Sequence, residues 1–157
     1  MQAKIKFLAL AGAIATAASL VAGTLVLDIG RPSVNPEAQA KHAVLVVRGS
    51  ACAHPERTRI TANAEGVING KRETIPLKLM PLSGPGIYGV ARQWPAEGRW
   101  VLTIVAANPD FKRQPSVIVS VNGDTADFAS VKHADRAPTT EEVQAALAAP
   151  ALSARMR

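Results

Sequence analysis

Two Asn-Gly dipeptides, Asn69-Gly70 and Asn122-Gly123, each separate runs of residues that alternate between apolar and polar. Asn and Gly both tolerate the positive φ of a tight hairpin turn, so this pattern commits the chain to antiparallel β structure. Before the first turn, Arg57 to Ile68 places Ile60, Ala62 and Ala64 on one side and Arg59, Thr61, Asn63 and Glu65 on the other, the mark of a half-buried strand. The return strand, Lys71 to Met80, sets Ile75, Leu77 and Leu79 against Thr74 and Lys78. Pro76 lacks an N–H for the ladder, which predicts a sheet edge or a bulge. Pro115 to Val121 alternates through Val117, Val119 and Val121, and its Asn-Gly turn leads into a short segment through Phe128 and Val131.

Between these units lies Gly84-Pro85-Gly86-Ile87-Tyr88 and, soon after, Trp94-Pro95-Ala96-Glu97-Gly98-Arg99-Trp100, which hold the only Tyr and both Trp residues. Pro85-Gly86 and Glu97-Gly98 are turn pairs. The strand-length runs Ile87 to Gln93 and Val101 to Ala107 are expected to form a hairpin around which the other strands gather. Trp100, Leu102, Ile104 and Ala106 share one face and Val101, Thr103 and Val105 the other, so this strand should be central. With His42 to Arg48 as the first strand, the count is seven. The expected fold is all-β, a seven-stranded antiparallel sandwich of the immunoglobulin-like type over residues 42–132. Residues 133–157 should form a short helix and a disordered tail. Thr139 and Glu142 fit a capping box, Val143, Ala146 and Leu147 line one face, and Pro150 stops the helix.

Ahead of the sandwich, Lys4 and Lys6 precede an uncharged run from Phe7 to Leu27, 21 residues long. That length exceeds an ordinary signal-peptide core and approaches the roughly 20 residues a membrane-spanning helix needs. Residues 1–27 therefore read as an apolar helix, either an uncleaved signal-anchor or a cleaved signal. Ala15-Thr16-Ala17 and Ala38-Gln39-Ala40 both fit the small-x-small cleavage rule. In either case the remainder is directed outward, to the periplasm or another extracytoplasmic space. Residues 28–41, with Pro32 and Pro36, read as a linker.

The chain carries 18 Lys and Arg against 12 acidic residues. Beyond residue 40 the balance is 15 against 10. The positive residues are scattered, and with only 4% aromatic residues a nucleic-acid surface is not expected. A single cysteine, Cys52, excludes an internal disulfide, so burial must hold the fold.

The pattern Gly-x-Tyr followed by Trp-Pro-Ala-Glu-Gly-Arg-Trp-Val-Leu resembles a hairpin of small bacterial exported β-sandwich domains. Across about residues 57–107 the chain is similar to the YtkA-like and FixH-like group and to transthyretin-like modules. That resemblance implies an immunoglobulin-like fold outside the cytoplasmic membrane, often anchored by one helix, with accessory roles that in some neighbours concern copper handling or oxidase assembly. Further apolar spans of FixH-like proteins are absent. A second comparison is with periplasmic copper-resistance sandwiches, which begin with His. Here Lys41-His42-Ala43 would begin a chain cut after Ala40, placing His second, and no Met-rich loop is present.

Cys52 and His54 are two apart, so on an extended segment they face the same way and suit a soft ion such as Cu(I), with His42 or His133 as a third ligand. The simpler reading makes Cys52 a buried thiol and His54 a turn residue. No Gly-x-Ser-x-Gly, His-Glu-x-x-His or phosphate loop is found, and no enzyme activity is expected. Tyr88 and Trp94 are the candidate partner contacts, with Trp94 expected to be partly exposed at a strand end. The reading is a non-catalytic accessory or binding module of the cell envelope that presents a sheet face or strand edge to another envelope protein and needs no cofactor. The alternative is a periplasmic copper protein using Cys52, His54 and His42.

Overall fold

A computed structural model describes residues 24–149. Residues 1–23 of the expected N-terminal helix, with its two lysines, and the tail from Pro150 lie outside the described residues, whereas Leu25 to Leu27, expected to end that helix, are strand.

In chain order the elements are β1 (Leu25–Gly30), a 3-10 turn (Pro32–Val34), α1 (Pro36–Ala40), β2 (Ala43–Ala51), a second 3-10 turn (Pro55–Arg57), β3 (Arg59–Ile68), β4 (Lys71–Pro76), β5 (Met80–Pro81), β6 (Ile87–Ala91), β7 (Arg99–Ala107), β8 (Ser116–Asn122), β9 (Thr125–Ala134) and α2 (Thr140–Ala148). They build two antiparallel sheets, β1-β2-β6-β5 and β4-β3-β7-β8-β9, faced together as a β-sandwich. The described residues hold nine strands where seven are expected. The added ones are β1 and the two-residue β5, which the sequence conceals in the apolar leader and in the end of the Lys71–Met80 run.

The inward side chains make one core. Leu45, Val47 and Val90 come from the smaller sheet, and Ala62, Ala64, Leu102, Ile104, Val117 and Val119 from the larger. β7 is central in its sheet, as its two apolar faces require. Its outer residue Val101 and Ile118 of β8 are covered by Val143, Ala146 and Leu147 of α2. The capping box forms in full, with Thr139 Oγ1 accepting from the Glu142 amide and the Glu142 carboxylate accepting from the Thr139 amide. On the opposite outer face, Ala38 of α1 is buried against Val46 and Leu82. The layers thus run helix, sheet, sheet, helix.

Three expectations are corrected. Residues 28–41 are not a linker, since they hold the end of β1, a 3-10 turn and α1. The sandwich begins at Leu25, because Leu25 and Leu27 point into the core while β1 pairs with β2 from Leu25↔Ala51 to Gly30↔Val46. Finally, β6 and β7 are not a hairpin. β6 pairs with β2 and β5, β7 with β3 and β8, and residues 92–98 carry the chain from one sheet to the other. Turn residues mark a change of direction but not whether the next strand returns to the same sheet.

Both tryptophans serve this crossing. Trp100 is 1% exposed and stands directly opposite Gly66 in the β3–β7 register. A Cβ on Gly66 would lie 2.5 Å from the indole ring, so the ring rests on bare backbone. Its N–H donates to the Glu97 carbonyl at 2.8 Å. The Asn69-Gly70 turn has the positive φ values its residues predict, 50° and 74°.

Two acidic residues pin the helices. The Glu37 carboxylate accepts from the Lys41 ammonium at 2.8 Å and from the Ser83 amide at 2.6 Å, which ties α1 to the β5–β6 turn. Glu142 takes both Arg136 guanidinium nitrogens at 2.8 and 2.9 Å. Lys41 above all, then Ser83, lowers the Glu37 carboxyl from 4.5 to about 2. Arg136 and the Thr139 amide do the same for Glu142.

Gly66→Ala should destabilise the protein by about 1–3 kcal/mol, because the methyl must displace the indole in a filled core. The urea midpoint measures this, and an unchanged midpoint would show that the ring is free to move. The depressed carboxyls set the acid response. A group whose folded-state pKa is lowered contributes its full stabilisation above the unfolded value and loses it as pH falls through the folded one. The melting temperature should therefore be flat from pH 7 to 5 and fall between pH 4.5 and 2. Glu37→Gln with Glu142→Gln should lower it modestly at pH 7, since both pairs are solvent-screened, and flatten the slope below 4.5.

Candidate interaction groove

β3 is ten residues long but its outer neighbour β4 is six, and the two pair only over Asn63↔Pro76 to Ile68↔Lys71. The chain leaves the sheet at Pro76 because proline has no N–H to continue the ladder. One further bond forms, from the Leu77 amide to the Ala62 carbonyl at 2.8 Å, and then Leu77 to Leu79 cross to β5 in the other sheet. No strand of the sheet lies beside Arg59–Ala62 on this side.

The orientation of the open backbone follows from strand geometry. In an antiparallel ladder a residue sends its N–H and C=O to one side and the next residue to the other. The Ala62 carbonyl faces the β4 side, so the N–H and C=O of Ile60 face it too. The other neighbour agrees, because Ala106, opposite Ile60 on β7, donates its N–H away from β3 to the Pro115 carbonyl at 2.9 Å.

Beneath this flank the gap between the sheets opens as a groove of about 480 Å³, lined by Thr58 to Asn63 of the β3 side, by Pro76, Leu77 and Leu79, and by Tyr88 of β6. Its floor is apolar, and Arg59 is the one side chain of fixed charge that lines it. Arg59 is exposed and forms no ion pair among the described residues. The walls are held in place. The Gln93 side chain donates to the Lys78 carbonyl and accepts from the Lys78 amide, both at 2.9 Å, which fixes the crossing segment. At the far end, the buried Asn108 donates to the His54 carbonyl at 3.0 Å and to Thr58 Oγ1 at 3.1 Å, and Arg57 grips Asp110 at 2.7 and 2.8 Å. Gln93 and Leu79 carry no sequence signal of this role, because it arises only where the chain changes sheets.

Tyr88 is half-buried and does line the groove. Trp94 does not present a contact surface. It is 3% exposed, with its N–H donating to the Gly123 carbonyl at 3.2 Å, because the crossing between β6 and β7 folds it into the core. The proposed metal ligands are not gathered. Cys52 is exposed rather than buried, and its amide donates to the Thr24 carbonyl. Exposed His54 lies beside it in sequence, with Nδ1 3.2 Å from Glu56 Oε1. His42 sits at the other end of β2, and nine strand residues of ~3.3 Å each separate it from Cys52 by about 30 Å. His133 is on β9, opposite Val117. Among the described residues no three His, Cys, Asp or Glu side chains come together as a metal site.

The carboxyls with lowered pKa, Glu37, Glu56, Glu141 and Glu142, owe it to ion pairs and hydrogen bonds at turns and caps, and none lines the groove. The groove's chemistry is that of a binding surface: open main-chain donors and acceptors, an apolar floor and one cation at the rim. Comparison with protein-family models, with curated proteins and with solved structures returns no match to this chain.

Amide hydrogen exchange tests the open flank. The Ile60 amide should exchange far faster than those of Thr61 and Asn63, whose N–H groups face β7. Equal protection of all three would mean that the flank is closed.

Proposed function

We propose that this chain is a non-catalytic, exported accessory module of the bacterial cell envelope, an immunoglobulin-like sandwich that takes an extended segment of another envelope protein as an added strand beside β3. The observation that carries this reading is the flank of Arg59–Thr61 above the groove, where no strand pairs with Ile60 on the β4 side. A bare strand edge is a liability that proteins usually remove by bulges, charges or cover, because it offers pairing to any extended chain. The other edge of the same sheet is treated in that way: β9 carries a register irregularity opposite Ile118 to Ser120, with the Ser130 hydroxyl filling in for the ladder at the Ser120 amide. The β3 flank keeps its edge and adds a recess for side chains, the combination on which strand-addition recognition depends.

The stretch is short, which sets the strength of the interaction. Ladder bonds contribute about 0.5–1.5 kcal/mol each after the exchange with water, so burial of a side chain in the groove must supply most of the affinity. This favours a reversible contact over a permanent assembly. The uncharged run from Phe7 supports export, and residues 1–23 would keep the module at the membrane if they are retained.

A photo-reactive amino acid in place of Thr61 or Tyr88, introduced into the full-length chain in cells, should give the same crosslinked partner from both positions. The same group in place of Glu73, on the paired part of β4, should give none. Equal adducts from all three, or none from the groove, would overturn the proposal.

A further inference from the structure

We infer that the groove's occupant is the membrane-flanking segment of an integral membrane protein, because this chain holds the groove close above the bilayer surface. This rests on the proposed function, with residues 1–23 retained, and specifies the partner of the same site.

Chain length sets the attachment. The uncharged run begins at Phe7, directly after Lys6, and β1 takes Leu25 to Leu27 from its end. Thr24 is fixed as well, since its carbonyl accepts from the Cys52 amide at 3.2 Å. Residues 7–24 are left to cross the bilayer, and as a helix at ~1.5 Å per residue they reach about 27 Å, against a hydrocarbon core of about 30 Å. Nothing remains to serve as a spacer. Thr24 is then held at the lipid boundary, and the sandwich stands on the end that carries it. Loops 52–58 and 108–115 share this end, joined by Asn108 to the His54 carbonyl and by Arg57 to Asp110. In these loops Arg57, Lys112 and Arg113 outnumber Glu56 and Asp110, which suits anionic headgroups.

The strand registers set the height of the groove. A Cβ on Gly49 would lie 2.5 Å from Ile60 Cδ1, so Ile60 packs across the gap onto Gly49, which pairs with Leu27. From Thr24 to Leu27 the strand rises about 10 Å, at ~3.3 Å per residue. Tyr88, on the opposite wall, pairs with Val47 and Val47 with Ile29, which puts it about 16 Å from Thr24. Headgroups fill about the first 5–7 Å beyond the hydrocarbon. The Ile60 end of the groove therefore clears them by about one or two residues of extended chain. The Asn69-Gly70 turn, at the other end of β3, is another ~30 Å from the bilayer. An extended segment that has just left a membrane-spanning helix passes at the height of the groove. A soluble domain would have to thread a segment between the module and the headgroups.

Two measurements on the full-length chain test this. Cys52, the only cysteine, is exposed at the membrane end and takes a fluorophore without substitution. In vesicles of phosphatidylcholine and phosphatidylglycerol, a lipid with a nitroxide on its headgroup should quench this dye. The same dye at Lys71→Cys, in a Cys52→Ala background, should stay bright. Equal quenching at both positions would overturn the height, as would a chain in cells that has lost residues 1–23. In cells, a photo-reactive amino acid in place of Tyr88 should crosslink to a partner peptide within about ten residues of a membrane-spanning helix, at ~3.3 Å per residue. Six prolines inserted between Gly23 and Thr24 make a stiff spacer of about 19 Å, which should abolish that crosslink and leave the melting temperature unchanged. A crosslink to a soluble protein, or one undiminished by the spacer, would overturn the membrane-flanking partner while the groove stands as a binding site. No crosslink from Tyr88 with or without the spacer would overturn the proposed function itself.

Discussion

An indole ring can lie flat on a neighbouring strand only where that strand has no side chain. Trp100 on Gly66 is that contact, and much of the sandwich is arranged around it. The ring fills the space between the sheets at the end where β3 turns into β4, and its N–H fastens the Glu97 turn that delivers the chain into β7. Trp94 acts at the start of the same crossing, joined to the β8–β9 turn through Gly123. With both ends of residues 92–98 anchored by buried rings, the chain is committed to change sheets there. β6 and β7 are thereby forced into different layers.

A second change of sheet, from β4 to β5, is responsible for the groove. It happens at Pro76, before β4 has run the length of β3, so the larger sheet loses its edge partner while β3 continues. The exposed stretch is stiff nonetheless. β7 holds it along its whole length, Asn108 and the Arg57–Asp110 pair hold its start, and Gln93 holds the crossing opposite. A surface ordered in advance loses less entropy when a partner docks, which matters where only a few ladder bonds can form.

Much of this architecture is legible in the sequence because it depends on local chemistry. Asn69-Gly70 sets its turn, Thr139 and Glu142 cap their helix, Pro76 marks a sheet edge although the strand stops there instead of running on to Met80, and the two apolar faces of Trp100 to Ala107 place that strand in the middle. What is illegible depends on which sheet a strand joins. Leu25 to Gly30 looks like the end of an oily leader, since a buried edge strand and a membrane-directed run share one composition. Trp94 beside a proline looks like an exposed strand end until the crossing buries it. Cys52 and His54 satisfy a ligand spacing, but His42 is set apart from them by the length of the strand that joins them. Of the groove, Tyr88 is visible as a lone aromatic and Pro76 as an edge marker. The recess between them exists only because two distant segments leave their sheets on the same side.

The position of β1 also bears on how such a chain could be processed. An endopeptidase acting after Ala40 would release the first strand along with everything before it. It would strip β2 of a wall partner, take Leu25 and Leu27 out of the interior and remove the short helix roofing Val46. A cut compatible with the intact sandwich would have to fall upstream of Leu25, and the Ala-Gln-Ala tripeptide is part of α1, where Ala38 is sealed at 0% exposure while Gln39 and Ala40 are exposed.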